Sequence, residues 1–191
     1  MIIDRTYFDK GIRFIPNHTN QNAGATVTDE LDNAIDVYSS ELLRYALGIA
    51  NFDLLKTALQ DLPNADQKLQ DLVNGVDYTI NSVTYRYGGL KEIIADFVYC
   101  RYFENDNETY TTTGVVQATA ENAVQAAGTP KYIRVWQEFI YKYQNKNRRG
   151  CNLVTFDGVR TNEDASLYDY LKHAFSTDYF KFYENKNSFG I

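Results

Sequence analysis

The chain has 191 residues, of which 44% are hydrophobic and 23% charged, with a formal net charge of −6. This composition is typical of one globular domain and argues against a disordered chain or a membrane protein. No apolar run approaches the roughly 20 residues that span a bilayer, and the opening MIIDRTYFDKGIRF lacks a signal-peptide core. A net-negative chain is also not expected to grip nucleic acid through a broad basic face. We expect a protein of the cytoplasm, or of a particle assembled there.

The chain is rich in aromatic residues, with 16 Tyr and 11 Phe. Tyrosine combines an apolar ring with a hydroxyl that can stay hydrated, which suits it to interfaces between proteins. An aromatic-rich core explains any individual tyrosine equally well, so the sequence leaves both interpretations open.

Residues 1–27 are predicted to form an extended arm, because Pro16 and two glycines disfavour a helix. The first helix is predicted to begin after a cap at Thr28 and to close at Gly48 in the left-handed conformation. Its apolar residues recur at steps of three and four, which predicts one continuous stripe. This stripe consists of Leu31, Ile35, Tyr38, Leu42, Tyr45 and Ile49.

A second helix is predicted from Asn51 to Leu62, ending at Pro63, and a third from Asp66 to Asn74, closed by Gly75. The period then changes from helical to alternating. Residues 78–85 are predicted to form a small β-hairpin, with its turn at Asn81-Ser82.

After Gly88-Gly89 a strongly amphipathic helix is predicted from Leu90 to Phe103. Its apolar face carries Leu90, Ile93, Ile94, Phe97 and Cys100. The next segment, Thr109–Val116, consists of Thr, Tyr and Val broken by Gly114, which favours a strand. Since a lone strand leaves its backbone groups unpaired, we expect it to pair with the hairpin or with a neighbouring subunit's strand.

The alanine-rich segment Ala118–Ala127 can be helical, and Thr129-Pro130 is predicted to start a long helix that ends near Tyr143. LVTF, at 153–156, is a possible short strand, and Glu163–Phe175 is predicted as the last helix. The fold class is therefore mainly α, a helical bundle with a small β-hairpin and extended N- and C-terminal arms. Its parts are the arm 1–27, the helical domain 28–175 and the tail 176–191.

Residues that could carry chemistry are few. His18 and His173 belong to no HExxH motif, and Cys100 and Cys151 show no metal-ligand spacing. Gly88-Gly89 lacks the Lys-Ser/Thr of a phosphate-binding loop and is interpreted as a joint between hairpin and helix. We expect no enzyme activity, no cofactor and no metal.

Two further motifs have a functional and a structural interpretation. Ser166, within GVRTNEDAS, has no nucleophile elbow and is interpreted as the cap of the last helix. Arg148 and Arg149 form a compact basic pair that belongs to a solvated loop or contacts a phosphate or a partner's carboxylate.

Three segments, in order, resemble the head-to-tail adaptor proteins of tailed bacteriophages: DELDNAIDVYSSELLRYALGIANFDLLKTAL, YRYGGLKEIIADFVYCRYFENDNETYTTTGVVQATAENA and KYIRVWQEFIYKY. They are most similar to the connector ring proteins of phages of Bacteroides hosts, including the crAss-like group. The resemblance spans residues 28–145 and leaves the remainder of the chain unmatched. Its most specific part runs from Gly89-Leu90 through FVYCRYF to TTTGVVQATAEN.

The resemblance implies a structural virion protein that forms a homo-oligomeric ring, a dodecamer, in the head-to-tail connector below the portal. Such a ring extends the DNA channel and joins the capsid to the tail, with the portal and tail-side connector proteins as partners. DNA would pass through without specific binding, which suits a net-negative wall. The alternatives are a tail terminator, a minor capsid protein, or a virion-associated enzyme or chaperone on a helical scaffold.

Interface residues are predicted in the arm, the strand segment, the arginine pair and the tail. The apolar ends are expected to dock on neighbours and to be flexible in the free monomer, because clusters of this kind mark contact surfaces. The residues are Tyr7, Phe8, Ile12, Phe14, Ile15, Thr111, Thr113, Val115, Arg148, Arg149, Tyr179, Phe180, Phe182 and Tyr183.

Overall fold

A computed structural model describes residues 2–15, 24–106, 109–111, 114–116, 128–144 and 162–175. Within these ranges the chain is mainly α, a bundle of helices with a small β-sheet, as the sequence predicted. Several predictions lie outside the described residues. They concern His18, Thr113, Ala118–Ala127, Arg148, Arg149, Cys151, the strand at 153–156 and the tail 176–191.

Helix α1 spans Gly24–Ala58 and is divided by a kink at Gly48. The predicted capping role of Thr28 was wrong. Helix α1 begins at Gly24, so Thr28 lies inside the helix. The predicted break at Gly48 is confirmed. Gly48 adopts φ +71° and ψ 167°, a conformation essentially restricted to glycine, and the Asn51 side-chain amide donates to the Leu47 carbonyl at 3.1 Å beside it.

The kink changes which residues of α1 face the core. Leu31, Ile35 and Leu42 are fully buried, as the apolar stripe predicted. Ile49 was also predicted to face inward, but it is 75% exposed. The reason is that the break at Gly48 resets the helical phase, so the spacing before the kink does not continue beyond it.

After the kink, α1 ends at Ala58, earlier than the predicted end at Leu62. Leu62–Asn64 instead form a short 3-10 helix that contains Pro63. Helix α2, Gln67–Asn74, follows the prediction closely. The Asp66 carboxylate accepts from the Lys68 backbone N–H at 2.9 Å, and Gly75 ends the helix at φ +89°.

The predicted hairpin is confirmed as strands β1, Val76–Ile80, and β2, Val83–Tyr87, which pair antiparallel. Asn81 and Ser82 connect them with φ +49° and +67°. Positive φ at both residues of a two-residue loop defines a type I′ turn, which matches the twist of the strands.

Gly75 and Gly89 bring the two ends of the hairpin into contact. A Cβ on Gly75 would lie 2.6 Å from the Tyr87 carbonyl oxygen, and one on Gly89 would lie 2.7 Å from the Val73 carbonyl oxygen. Both glycines also have positive φ. This backbone contact requires glycine on both sides and confirms the interpretation of Gly88-Gly89 as a joint.

Helices α3, Leu90–Asp106, and α4, Gly128–Gln144, form the centre of the bundle. Every residue from Ile93 to Cys100 is buried, because α1, α2, α4 and the N-terminal arm all pack on α3. The rings of Phe97 and Phe139 join α3 to α4 with centroids 5.3 Å apart. The predicted core helix is therefore confirmed, and it is buried on more sides than an amphipathic face requires.

Strands β3, Thr109–Thr111, and β4, Gly114–Val116, lie between α3 and α4 in the chain and form an antiparallel hairpin. The predicted pairing of this segment with the hairpin at 78–85 was wrong for the described residues. The two halves of the segment pair with each other instead, with Thr109 opposite Val116. Pairing with a neighbouring subunit stays a prediction.

Strand β5, Asn162–Ala165, runs parallel to β2 and gives a sheet with the order β1-β2-β5. The last helix, α5, spans Leu167–Phe175, so its predicted start at Glu163 was wrong. Ser166 explains the later start: its N–H donates to the Asp169 carboxylate at 2.9 Å, and its hydroxyl accepts from the Asp169 N–H at 3.3 Å. This reciprocal cap confirms the predicted capping role of Ser166.

The N-terminal residues 2–15 are less extended than predicted. They contain two 3-10 helices, Arg5–Phe8 and Gly11–Arg13, and pack against α3 and α4. Arg5 binds Asp32 of α1 through two hydrogen bonds of 2.7 and 2.6 Å. Among the described helices, none is both long and apolar enough to cross a membrane.

Candidate functional site

Four charged side chains meet where the arm, α3 and α4 come together. Asp96 of α3 is 1% exposed, and its two oxygens accept from Arg13 Nη1 at 2.8 Å and Lys142 Nζ at 2.7 Å. Glu92 Oε2, one turn earlier on α3, lies 2.6 Å from Arg13 Nη2 and 3.7 Å from Lys142 Nζ. Two carboxylates and two cations therefore balance each other in this ion-pair network.

The pKa shifts in the network follow from burial and pairing. Burial raises the pKa of Asp96, while Lys142 and Arg13 act in the opposite direction. Burial opposes the charge of Arg13, but Asp96 and Glu92 outweigh it and raise the pKa of the guanidinium. Because both Asp96 oxygens are engaged by cations, the arrangement is typical of a structural tie between three elements.

A cavity of about 240 Å³ borders the network where β2 and β5 end and α3 begins. Its polar lining includes Arg86, Glu92, Tyr141, Lys142 and Asp164. Arg86 is paired with Asp77 through two hydrogen bonds of 3.0 Å, and the Tyr141 hydroxyl donates to Asp164 at 3.1 Å. With cations and carboxylates present in equal number, the lining does not favour an anionic over a cationic ligand.

The sheet carries an aromatic face that packs on α5. Tyr78 stacks on His173 with centroids 4.4 Å apart, and Tyr87 stacks on Tyr170 at 4.6 Å. The hydroxyls of Tyr87 and Tyr170 donate to the carbonyls of Leu72 and Lys68 in α2, at 3.1 and 2.9 Å. These tyrosines therefore belong to the chain's own packing, and burial raises the pKa of Tyr78 to about 12.

The histidine and cysteine residues do not converge on a site in the described part of the chain. His173 is exposed beside Tyr78, and Cys100 is buried in α3. His18 and Cys151 lie outside the described residues. Among the residues that the structure describes, no group of three His, Cys, Asp or Glu side chains could hold a metal ion.

The predicted interface residues of the arm differ in how deeply they are buried. Phe8 is 0% exposed and Ile15 3% exposed, and both belong to the chain's own core, so their predicted contact with a neighbour was wrong. The 3-10 turns of the arm place these side chains inside the bundle, an arrangement that irregular spacing did not reveal. Tyr7 and Ile12 are half-buried, whereas Phe14 is 42% exposed and stays a candidate.

Two of the three predicted interface residues of the strand segment lie within the described residues. Thr111 is the last residue of β3, and Val115 is the central residue of β4. The structure therefore places both in one hairpin. Thr113, the arginine pair and the tail residues Tyr179, Phe180, Phe182 and Tyr183 lie outside the described residues.

Sequence reasoning missed the ion-pair network and part of the exposed apolar surface. Asp96 lies one turn after Glu92 within the otherwise apolar run IIADFVYC. A carboxylate in such a run could have indicated a buried ion pair. Arg13 and Lys142 are distant in the chain and gave no such signal. Ile49, Leu54 and Val37 of α1 are 75%, 60% and 50% exposed.

A protein-family model matches residues 46–148, more than half of the chain. The chain therefore belongs to DUF6712, a family of unknown function. The matched region begins near the kink of α1 and includes α2, both hairpins, α3 and α4. No curated protein and no solved structure matches the chain.

Proposed function

We propose that the protein is a subunit of a ring in the head-to-tail connector of a tailed bacteriophage. The ring lies below the portal, extends the DNA channel and joins the capsid to the tail. The β3–β4 hairpin carries this proposal, since it falls within the most specific part of the resemblance to connector proteins. Its strands have three residues each and, in the described part of the chain, pair with each other alone. A two-stranded hairpin of this size is marginally stable in water and needs a partner surface.

The exposed apolar residues of α1 support the same proposal. Ile49 and Leu54 lie beyond the kink at Gly48, and Val37 lies before it. A neighbouring subunit that covered these side chains would remove their apolar surface from water, which favours association. A ring subunit has two such surfaces, one for each neighbour.

The packing of α3 supports a structural rather than a catalytic role. The Arg13–Asp96–Lys142 ties hold the arm, α3 and α4 together around the buried stretch Ile93–Cys100 of α3. The cavity beside them contains charged groups that are already paired within the chain. A net charge of −6 also suits a channel wall, because a net-negative surface does not bind DNA phosphates tightly.

The proposal is tested by native mass spectrometry and negative-stain electron microscopy of the purified protein over a range of concentrations. We expect a closed ring of a single mass. A variant in which a Gly-Ser segment of equal length replaces residues 109–116 should keep its helical circular dichroism and remain monomeric. A wild-type chain that stays monomeric at every concentration, and is missing from the neck of assembled particles, would contradict the proposal.

A further inference from the structure

We propose that the outer edge of β1 is completed by the β3–β4 hairpin of an adjacent copy, so that one sheet continues across each subunit boundary. This inference rests on the proposed ring and names the two surfaces that close it. The pairing involves the backbone groups of Asp77 and Thr79 on one copy and residues 109–116 on the next.

The register of the first hairpin shows which backbone groups of β1 point outward. Ile80 pairs with Val83 around the two-residue turn, and such a loop is closed by a hydrogen-bonded pair. Hydrogen-bonded pairs alternate along an antiparallel ladder, so the next ones are Tyr78–Tyr85 and Val76–Tyr87. The N–H and C=O groups of Asp77 and Thr79 therefore point away from β2.

The edge formed by β1 is accessible and lacks the usual protection against pairing. In the described sheet β1 is an outer strand, and Asp77 and Thr79 are both exposed. Natural edge strands are commonly blunted by lysine or proline. The sequence of β1, VDYTI, contains neither, and the charge of Asp77 is paired with Arg86 of β2 at 3.0 Å.

The β3–β4 hairpin has the properties of the matching strand. Its strand sequences, TYT and GVV, are uncharged, contain no proline and consist mainly of residues that favour strands. Within the described residues, β3 and β4 bond to each other and leave their outer edges to a partner. Both incomplete edges occur on one chain, and a contact between unlike surfaces of identical copies repeats head to tail, which gives a closed ring when the rotation between copies completes a circle.

The test compares Thr79→Pro with the matched control Thr79→Val. Proline removes the outward N–H of Thr79, and an edge strand tolerates it there without losing a bond to β2. Thr79→Val keeps the N–H and the preference for a strand. We expect Thr79→Pro to raise the concentration needed for ring formation about tenfold or more, while Thr79→Val assembles like the wild type.

The folded state of each monomer is checked by circular dichroism and thermal unfolding, and a second measurement does not depend on the proline. Amide hydrogen exchange at Asp77 and Thr79 should slow upon ring assembly in the wild type. In the variant with the Gly-Ser segment at 109–116, the same amides should exchange rapidly at any concentration.

The outcomes separate this inference from the ring proposal. A wild-type ring with unprotected amides at Asp77 and Thr79, and an unchanged assembly of Thr79→Pro, would overturn the inference and leave the ring standing. The inference would also be overturned if the protection of the Asp77 and Thr79 amides is lost on deletion of residues 176–191 but kept on replacement of 109–116. That result would show that the tail, not the hairpin, pairs with the β1 edge. A wild-type chain that never assembles would overturn both.

Discussion

The central helix α3 and the β3–β4 hairpin that follows it in the chain differ sharply in how far they are supported by their own subunit. Every residue of α3 from Ile93 to Cys100 is buried, and Asp96 binds cations from two other elements. The hairpin has strands of three residues that, within the described chain, pair with each other. In the proposed ring, we expect the bundle to fold as an independent unit, whereas the hairpin and the β1 edge would depend on a neighbour.

The largest effect on stability is expected from a substitution that creates a cavity beside α3. Phe97 is 1% exposed and packs against Phe139, so Phe97→Ala should lower the free energy of unfolding by about 3 to 5 kcal/mol. The control is Val37→Ala at a half-exposed position of α1, expected to change it by less than about 0.5 kcal/mol. Urea denaturation measures both. Equal effects of the two substitutions would show that α3 is not the core.

A smaller effect is expected from the ion-pair network. Asp96→Ala leaves Arg13 and Lys142 without their buried carboxylate, although Glu92 still contacts both, so we expect a loss of about 3 kcal/mol. Asp36→Ala, at an exposed position of α1, serves as the control. Chemical denaturation compares the variants, and hydrogen exchange should show faster opening of residues 2–15 in Asp96→Ala. An arm that stays as protected as in the wild type would contradict its attachment through Asp96.

Alkaline pH tests the aromatic packing around the sheet and α3. Burial raises the pKa of both Tyr78 and Tyr99 to about 12. Because the folded-state pKa lies above the unfolded value of about 10, the folded state favours the neutral phenol. This stabilisation is complete below pH 10 and is lost as pH rises towards 12.

Denaturant unfolding at intervals between pH 9 and pH 12 measures this loss. Tyr78→Phe removes one of the tyrosine hydroxyls whose pKa burial raises, so the free energy of unfolding should fall less steeply with pH in this variant than in the wild type. Identical slopes would mean that Tyr78 titrates in the folded chain as it does in the unfolded chain.

The smallest effect on stability is expected on the exposed apolar surface. Ile49→Ser combined with Leu54→Ser should change the free energy of unfolding of the monomer by less than about 1 kcal/mol, since both side chains are largely exposed. The same variant should weaken assembly, as measured by native mass spectrometry across concentrations. If the variant assembles like the wild type, these two residues do not belong to the interface, and the proposed hairpin contact is not affected by that result.

The sequence predicted the parts of the fold that local chemistry determines. The Asp66 and Gly75 ends of α2, the Asn81-Ser82 turn and the break at Gly48 all follow from residues with strong conformational preferences. The burial of Phe8 and the strand at Asn162–Ala165 depend on contacts with distant elements, which local patterns do not encode. Ile49 was assigned to the wrong side because spacing does not reveal how a kink rotates the following turn.

The candidate site was less predictable than the fold. The Thr-Val composition around Gly114 predicted one lone strand at 109–116, whereas the structure has two strands whose pairing with each other is not encoded in local composition. The network around Asp96 joins residues that are far apart in the chain. In both cases the residue types were visible, and their partners were set by tertiary structure.

Hydrogen exchange of the wild-type protein, measured in the monomer and in the assembled ring, tests the central claim most directly. The account predicts that the amides of Ile93–Cys100 exchange slowly in both states, while those of Thr109–Val116 exchange rapidly in the monomer and slowly in the ring. A hairpin that is already as protected in the monomer as α3 would contradict the claim that it depends on a neighbouring subunit.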